Sequence, residues 1–136
     1  MALKSVSKAD PNFVPNYQLS GIPYVISKTG VDNNAASLNF PFVTKSMKIQ
    51  NFGSGGLRIG FTEDGVDGTN DKYYFFIPAA AAGKITTVDF DVRCKTLWYR
   101  ADDSTNTDMS VYAALTPINS GSFPNLTSAN GFAGIE

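Results

Sequence analysis

The densest run of chemically able side chains is the stretch 63–71, Glu63-Asp64-Gly65-Val66-Asp67-Gly68-Thr69-Asn70-Asp71, which holds four carboxylates in nine residues. Hard cations such as Ca²⁺ take roughly six to eight oxygen ligands, and a carboxylate-rich loop is a natural source of them. Here the acids fall at intervals of one, three and four residues, which is not the alternating Asp spacing of a calcium-binding loop. Asp and Gly also serve turn geometry in a solvated connection. The stretch is therefore read as a connection, and no metal ligand is assigned.

Asp89 and Asp91 sit two residues apart, and Asp102-Asp103 follow. Paired carboxylates carry out glycoside hydrolysis, one as acid and the other as nucleophile or base. Two acids at i and i+2 on a strand share a face, however, and that is the ordinary pattern of a face turned to water. No catalytic residue is assigned and no enzymatic activity is expected. Cys94 lies between Arg93 and Lys95, whose charges would lower a thiol pKa. On a strand those neighbours point away from the cysteine, so a buried, unreactive Cys94 is expected. Trp98, with Tyr99, Tyr73 and Tyr74, offers a surface on which a sugar ring would stack. Alternation lets only one of Trp98 and Tyr99 face the core, and a carbohydrate-binding β-sandwich is the alternative function. Asn125-Leu126-Thr127 fits the glycosylation pattern but is expected to be idle. Gly53-Ser54-Gly55-Gly56 lacks the Lys-Ser/Thr ending of a phosphate cradle and reads as a hairpin turn.

Missing residue types exclude more. The chain has no His, which removes Ser-His-Asp and Cys-His catalysis and His-ligated metals. Its single cysteine permits no internal disulfide or thiolate cluster, and no cofactor is assigned. No run of about 18 apolar residues is present, so no membrane insertion is expected. The opening MALKSVSKAD lacks the apolar core of a signal peptide, which leads us to expect synthesis in the cell interior without secretion. A net charge of −1 speaks against a dedicated nucleic-acid binder. Residues 1–60 carry six basic and two acidic side chains, a net +4, while residues 61–136 carry five and ten, a net −5. Such a division would let copies pair a positive face with a negative one.

The elements that must position these residues are short strands. Residues 24–27 precede a turn. Residues 37–43 make a second strand in which Pro41 marks an edge or bend. Residues 45–51 alternate, with Met47 and Ile49 opposite Lys48 and Gln50, and residues 57–61 alternate again. Residues 73–77, Tyr-Tyr-Phe-Phe-Ile, form a continuous apolar run suited to a strand buried on both faces. Residues 85–92 set Val88, Phe90 and Val92 against Asp89 and Asp91, residues 95–100 set Leu97 and Tyr99 against Trp98, and a last strand aligns Met109, Val111, Ala113 and Leu115. The alanine run at 79–82 is the best helix candidate but too short to nucleate alone.

With twelve Gly and seven Pro among 136 residues, these strands predict an all-β fold, a single eight-stranded jelly-roll sandwich. The expected domain spans 21–117, flanked by an N-terminal arm (1–20) and a C-terminal arm (118–136). Both arms are spotted with apolar residues: Phe13, Val14, Tyr17 and Leu19 in the first, and Phe123, Leu126, Phe132 and Ile135 in the second.

The stretches Val43-Thr44-Lys45-Ser46-Met47-Lys48-Ile49-Gln50-Asn51, Gly56-Leu57-Arg58-Ile59-Gly60-Phe61-Thr62, Tyr74-Phe75-Phe76-Ile77-Pro78-Ala79, Val92-Arg93-Cys94-Lys95-Thr96-Leu97-Trp98 and 110–117 together resemble the single jelly-roll capsid proteins of large double-stranded DNA viruses. Within that group they are most similar to the penton protein of the five-fold vertices, over residues 37–117. The resemblance implies a structural protein of the virion that forms a homopentamer, with strands along the particle radius and arms that reach major and minor capsid proteins. It implies no active-site residues and no specific nucleic-acid contact. Pentons often carry an inserted outer domain, and the short connections here leave no room for one.

Overall fold

The computed structural model describes residues 21–68, 73–81, 84–127, 130–132 and 134–135. The expected N-terminal arm, positions 69–71 of the acidic stretch and Ala82-Gly83 lie outside the described residues. Eight strands build two four-stranded antiparallel sheets: β1 (Ile22–Val31), β2 (Ala36–Asn39), β3 (Phe42–Asn51), β4 (Leu57–Gly60), β5 (Phe75–Ile77), β6 (Thr86–Phe90), β7 (Thr96–Ala101) and β8 (Thr107–Asn119). The first sheet has the order β1-β8-β3-β6 and the second β2-β7-β4-β5. This is the wiring of a jelly roll, as the strand count and turn chemistry predict.

Cross-strand register explains the core. Tyr24, Ala113, Met47 and Phe90 stand side by side across the first sheet, and Ile26, Val111, Ile49 and Val88 form the next inward row. The second sheet answers with Leu38 beside Leu97, with Tyr99, Ile59 and Phe75, and with Ala101, Leu57 and Ile77. Ile49, Leu57, Leu97 and Met109 are fully buried, each such side chain contributing roughly 1.5–3 kcal/mol of transfer free energy. Two edge-on ring pairs show how the sheets are stacked. Tyr24 of β1 meets Phe40, just past β2, at 5.2 Å, and Phe75 of β5 meets Phe90 of β6 at 5.3 Å. One side of the sandwich is thus β1 over β2, and the other is β6 over β5.

Asn51, fully buried at the end of β3, ties the turn that follows it to both neighbours. Its Oδ1 accepts from Gly53 N and Thr107 Oγ1, and its Nδ2 donates to the carbonyls of Gly55 and Pro78. A buried amide with these partners satisfies its hydrogen-bonding capacity and fixes the hairpin.

Several elements differ from the sequence reading. Residues 37–43 are not one strand: the chain leaves the second sheet at Phe40-Pro41 and enters the first as β3, because Pro41 lacks the N–H a ladder needs and bends the path. Residues 73–77 are not buried on both faces. Only Phe75–Ile77 pairs, as an edge strand with β4 alone, and Phe75 and Phe76 are 50% and 46% exposed. Part of the acidic stretch is a short helix, α1 (Glu63–Asp67), whereas Ala79, Ala80 and Ala81 are not helical. Thr62 caps α1 by accepting from Gly65 N, the acids Glu63 and Asp64 occupy its positive first turn, and Gly68 closes it at φ 62°. The last strand continues two residues past position 117, to Asn119.

Among the described residues, part of the charge division is met within the molecule. The jelly roll interleaves β1 and β3 with β8 and β6, and β2 and β4 with β7 and β5. Positive residues of the first half then meet negative residues of the second half within the molecule, Lys48 with Asp89 and Arg58 with Asp102.

Candidate functional site

The outer face of the second sheet carries the richest chemistry. Its rows, read from register, are Ser37-Trp98-Gly60 and Arg100-Arg58-Phe76, with Asn39 beside Thr96. Helix α1 lies on this face. Val66 is fully buried, and a Cβ at Gly60 would sit 2.6 Å from Val66 Cγ1, so glycine lets the helix approach. Two arginines hold the helix down. Arg58 Nη1 donates to the carbonyls of Val66 and Asp67 at 3.1 and 3.0 Å, its Nε donates to Asp102 Oδ1 at 2.7 Å, and the Tyr74 ring lies 4.4 Å beneath its guanidinium. Arg100 pairs with Asp67 at 3.3 Å.

The segment after β8 folds over the rest of this face. A 3₁₀ turn at Ser120–Ser122 redirects the chain, Lys95 Nζ donates to Phe123 O at 2.9 Å, Leu126 packs against the core, and Thr62 Oγ1 donates to Ile135 O. The C-terminal arm is anchored on its own domain at these points.

Between α1 and this strap lies a cleft of about 390 Å³. Ser37, Asn39, Thr96 and Trp98 form its floor, Glu63 and Asp64 one wall, and Asn125, Leu126 and Thr127 the other. Trp98 is half-buried and Tyr99 buried, so the tryptophan is the one that faces outward. Thr96 Oγ1 donates to Asn39 Oδ1 at 3.0 Å, which leaves the Asn39 amide Nδ2 for the cleft. Sequence reasoning singled out Trp98, but it missed Asn39, Ser37 and the strap, because register and the returning tail bring them to the tryptophan.

The other sequence candidates are dispersed. Asp89 is on the outer face of the first sheet with Lys48, and Asp102 is on the opposite sheet with Arg58. Asp103 Oδ1 accepts from Thr105 N and closes a turn. These acids do not face a common space in a hydrolase arrangement. Among the described residues no group of three or more His, Cys, Asp or Glu is placed to hold a metal ion. Cys94 is not on a strand, where the sequence reading puts it, but in the connection between β6 and β7. It is buried there, near Thr44 Oγ1 at 3.5 Å, with its pKa pushed up to about 11 by desolvation. Such a thiol stays protonated and unreactive near neutral pH.

No family model matches the chain, and no curated protein does. Among solved structures it is similar to a protein of Bacillus endospore appendages, a family of disulfide-linked pili, at 12% identity and a TM-score of 0.38, over 85% of this chain and 99% of that one. It is also similar to a point mutant of a family 29 carbohydrate-binding module at 14% identity and a TM-score of 0.33, over 77% of this chain and 99% of that one. A further family 29 module aligns at 15% identity and a TM-score of 0.34, over 76% and 73%. Likenesses this distant carry no functional argument.

Proposed function

We propose that this chain is a structural capsid subunit, the penton of an icosahedral shell, and that copies associate head to tail through the two sides of the sandwich. The observation that carries the reading is where the uncovered apolar side chains lie. Val25 and Tyr112, cross-strand partners at 71% and 45% exposure, lie together on the outer face at β1–β8, and Ile22, at 44%, opens the edge strand β1. Phe75 and Phe76, at 50% and 46%, lie on the edge strand β5, and Ile85, at 58%, lies just before the edge strand β6. Exposed apolar groups that cluster mark interaction surfaces. Two unlike patches on opposite sides suit a heterologous contact, the kind that closes a ring, whereas a two-fold dimer uses one self-complementary patch.

The jelly-roll wiring and the resemblance over residues 37–117 supply the rest: a ring of jelly rolls is the architecture of a five-fold vertex. In this reading the protein resides in the virion and does no chemistry. Residues 1–20 reach neighbouring capsid proteins. Native mass measurement across a concentration series tests the proposal, with a species at five times the 14.6 kDa chain mass expected. A chain that stays at 14.6 kDa throughout contradicts it. Removing residues 1–20 is expected to preserve the ring and block its entry into particles, and normal entry would end that role for the arm.

A further inference from the structure

The cleft over Trp98 has features that assembly through the sandwich sides does not use. Its volume of about 390 Å³ falls within the range of small-molecule sites, roughly 300–1,000 Å³. It combines one aromatic face with several polar groups on fixed elements. Trp98 is held in the centre of its row by Ser37 on one side and Gly60 on the other. Ser37 is too small to cover an indole face, so part of the ring stays open to the cleft. Around it stand the Ser37 hydroxyl, the Asn39 amide and the Glu63 and Asp64 carboxylates.

We propose that this cleft binds a neutral saccharide, one ring of which stacks on Trp98 while its hydroxyls bond to Asn39, Ser37 and the α1 carboxylates. The pattern of groups selects the class. A sugar ring has an apolar C–H face and a rim of hydroxyls that both donate and accept, which matches an indole bordered by an amide donor and carboxylate acceptors. A flat apolar ligand would leave those polar groups desolvated and unpaired, at a cost. An anionic sugar would face Glu63 and Asp64, while the cation that lines the cleft, Lys95, already donates to Phe123 O at 2.9 Å. The acidic wall therefore disfavours sialic and uronic acids and leaves neutral sugars. This site is independent of the ring proposed above, since Val25, Tyr112, Phe76 and Ile85 take no part in it.

Trp98 is the chain's single tryptophan, so its emission reads the cleft directly. The full chain would be titrated with oligosaccharides of glucose, mannose, xylose and galactose, and with sialyllactose. The expected result is a saturable change in Trp98 emission with at least one neutral oligosaccharide and none with sialyllactose. Asn39→Ala, at an exposed position whose loss leaves the core intact, is expected to weaken that binding about tenfold with an unchanged melting temperature, as for one lost hydrogen bond. Trp98→Phe, followed by calorimetry, is expected to weaken binding while keeping an aromatic floor. No saturable change with any neutral sugar would overturn the proposal, as would a preference for sialyllactose or undiminished binding by Asn39→Ala.

Discussion

On the second sheet Arg58 and Arg100 hold α1 against the outer face, and the C-terminal strap covers a further part of it. On the first sheet the row Val25, Tyr112, Lys48 and Asp89 carries no such cover among the described residues. The same fold thus has one outer face finished by its own chain and one left bare. Each face holds an ion pair, and the pairs differ as the faces do. Arg58 and Asp102 meet at 2.7 Å with side chains 15% and 33% exposed, whereas Lys48 and Asp89 meet at 3.7 Å with side chains 53% and 75% exposed. Position relative to covering segments, more than charge, decides what such a pair contributes.

The largest expected effect follows from that contrast. Arg58→Ala removes the partner of Asp102, two bonds to α1 carbonyls and the cation over Tyr74, and should cost about 3 kcal/mol in urea unfolding. A cost below about 0.5 kcal/mol would show that α1 is not held by this arginine.

A second effect probes the interior that both faces share. Folding raises the Cys94 pKa from 9.0 to about 11 and raises that of Tyr99 as well, both by desolvation. The native state therefore holds protons that the unfolded chain releases. This contribution is fully present below pH 9.0 and is lost as pH rises toward about 11, costing roughly 2 kcal/mol for Cys94 at the upper end. Cys94→Ala should flatten part of that decline, and an equally steep decline in the variant would count against desolvation of this thiol as its source. Lys48→Ala on the bare face should change stability least, by under about 0.5 kcal/mol, and a cost like that of Arg58→Ala would erase the distinction between the faces.

Much of this arrangement was legible in the residues. Alternation placed Met47, Ile49, Leu97, Tyr99, Val111 and Ala113 inward and Trp98 outward, since side chains on a strand alternate whatever the tertiary context. Pairing order was not legible. The apolar run 73–77 looks like a central strand, but the jelly roll puts it at an edge, where Phe75 and Phe76 stay exposed. Helix α1 has no periodic signal because it is short, and it exists through the Thr62 cap, the gap at Gly60 and Arg58. The charge division was visible in the sequence, but not that interleaved strands would pair Lys48 with Asp89 and Arg58 with Asp102 inside one chain. Of the cleft, the tryptophan could be found by type, but Asn39, Glu63 and Asn125 come from three separate segments that only folding brings together.

Head-to-tail association through two unlike patches is tested most directly by mixing two variants, each blocked on one side. Val25→Glu places a charge in the β1–β8 patch and Phe76→Glu places one in the β5–β6 patch, both at exposed positions where stability should change by no more than about 0.5 kcal/mol. Each variant alone retains one usable surface but no complement, and light scattering should report the 14.6 kDa monomer. Mixed in equal amounts, they should form a one-to-one dimer that grows no further. Variants that remain monomeric when mixed, or that form the wild-type assembly when alone, would contradict the account.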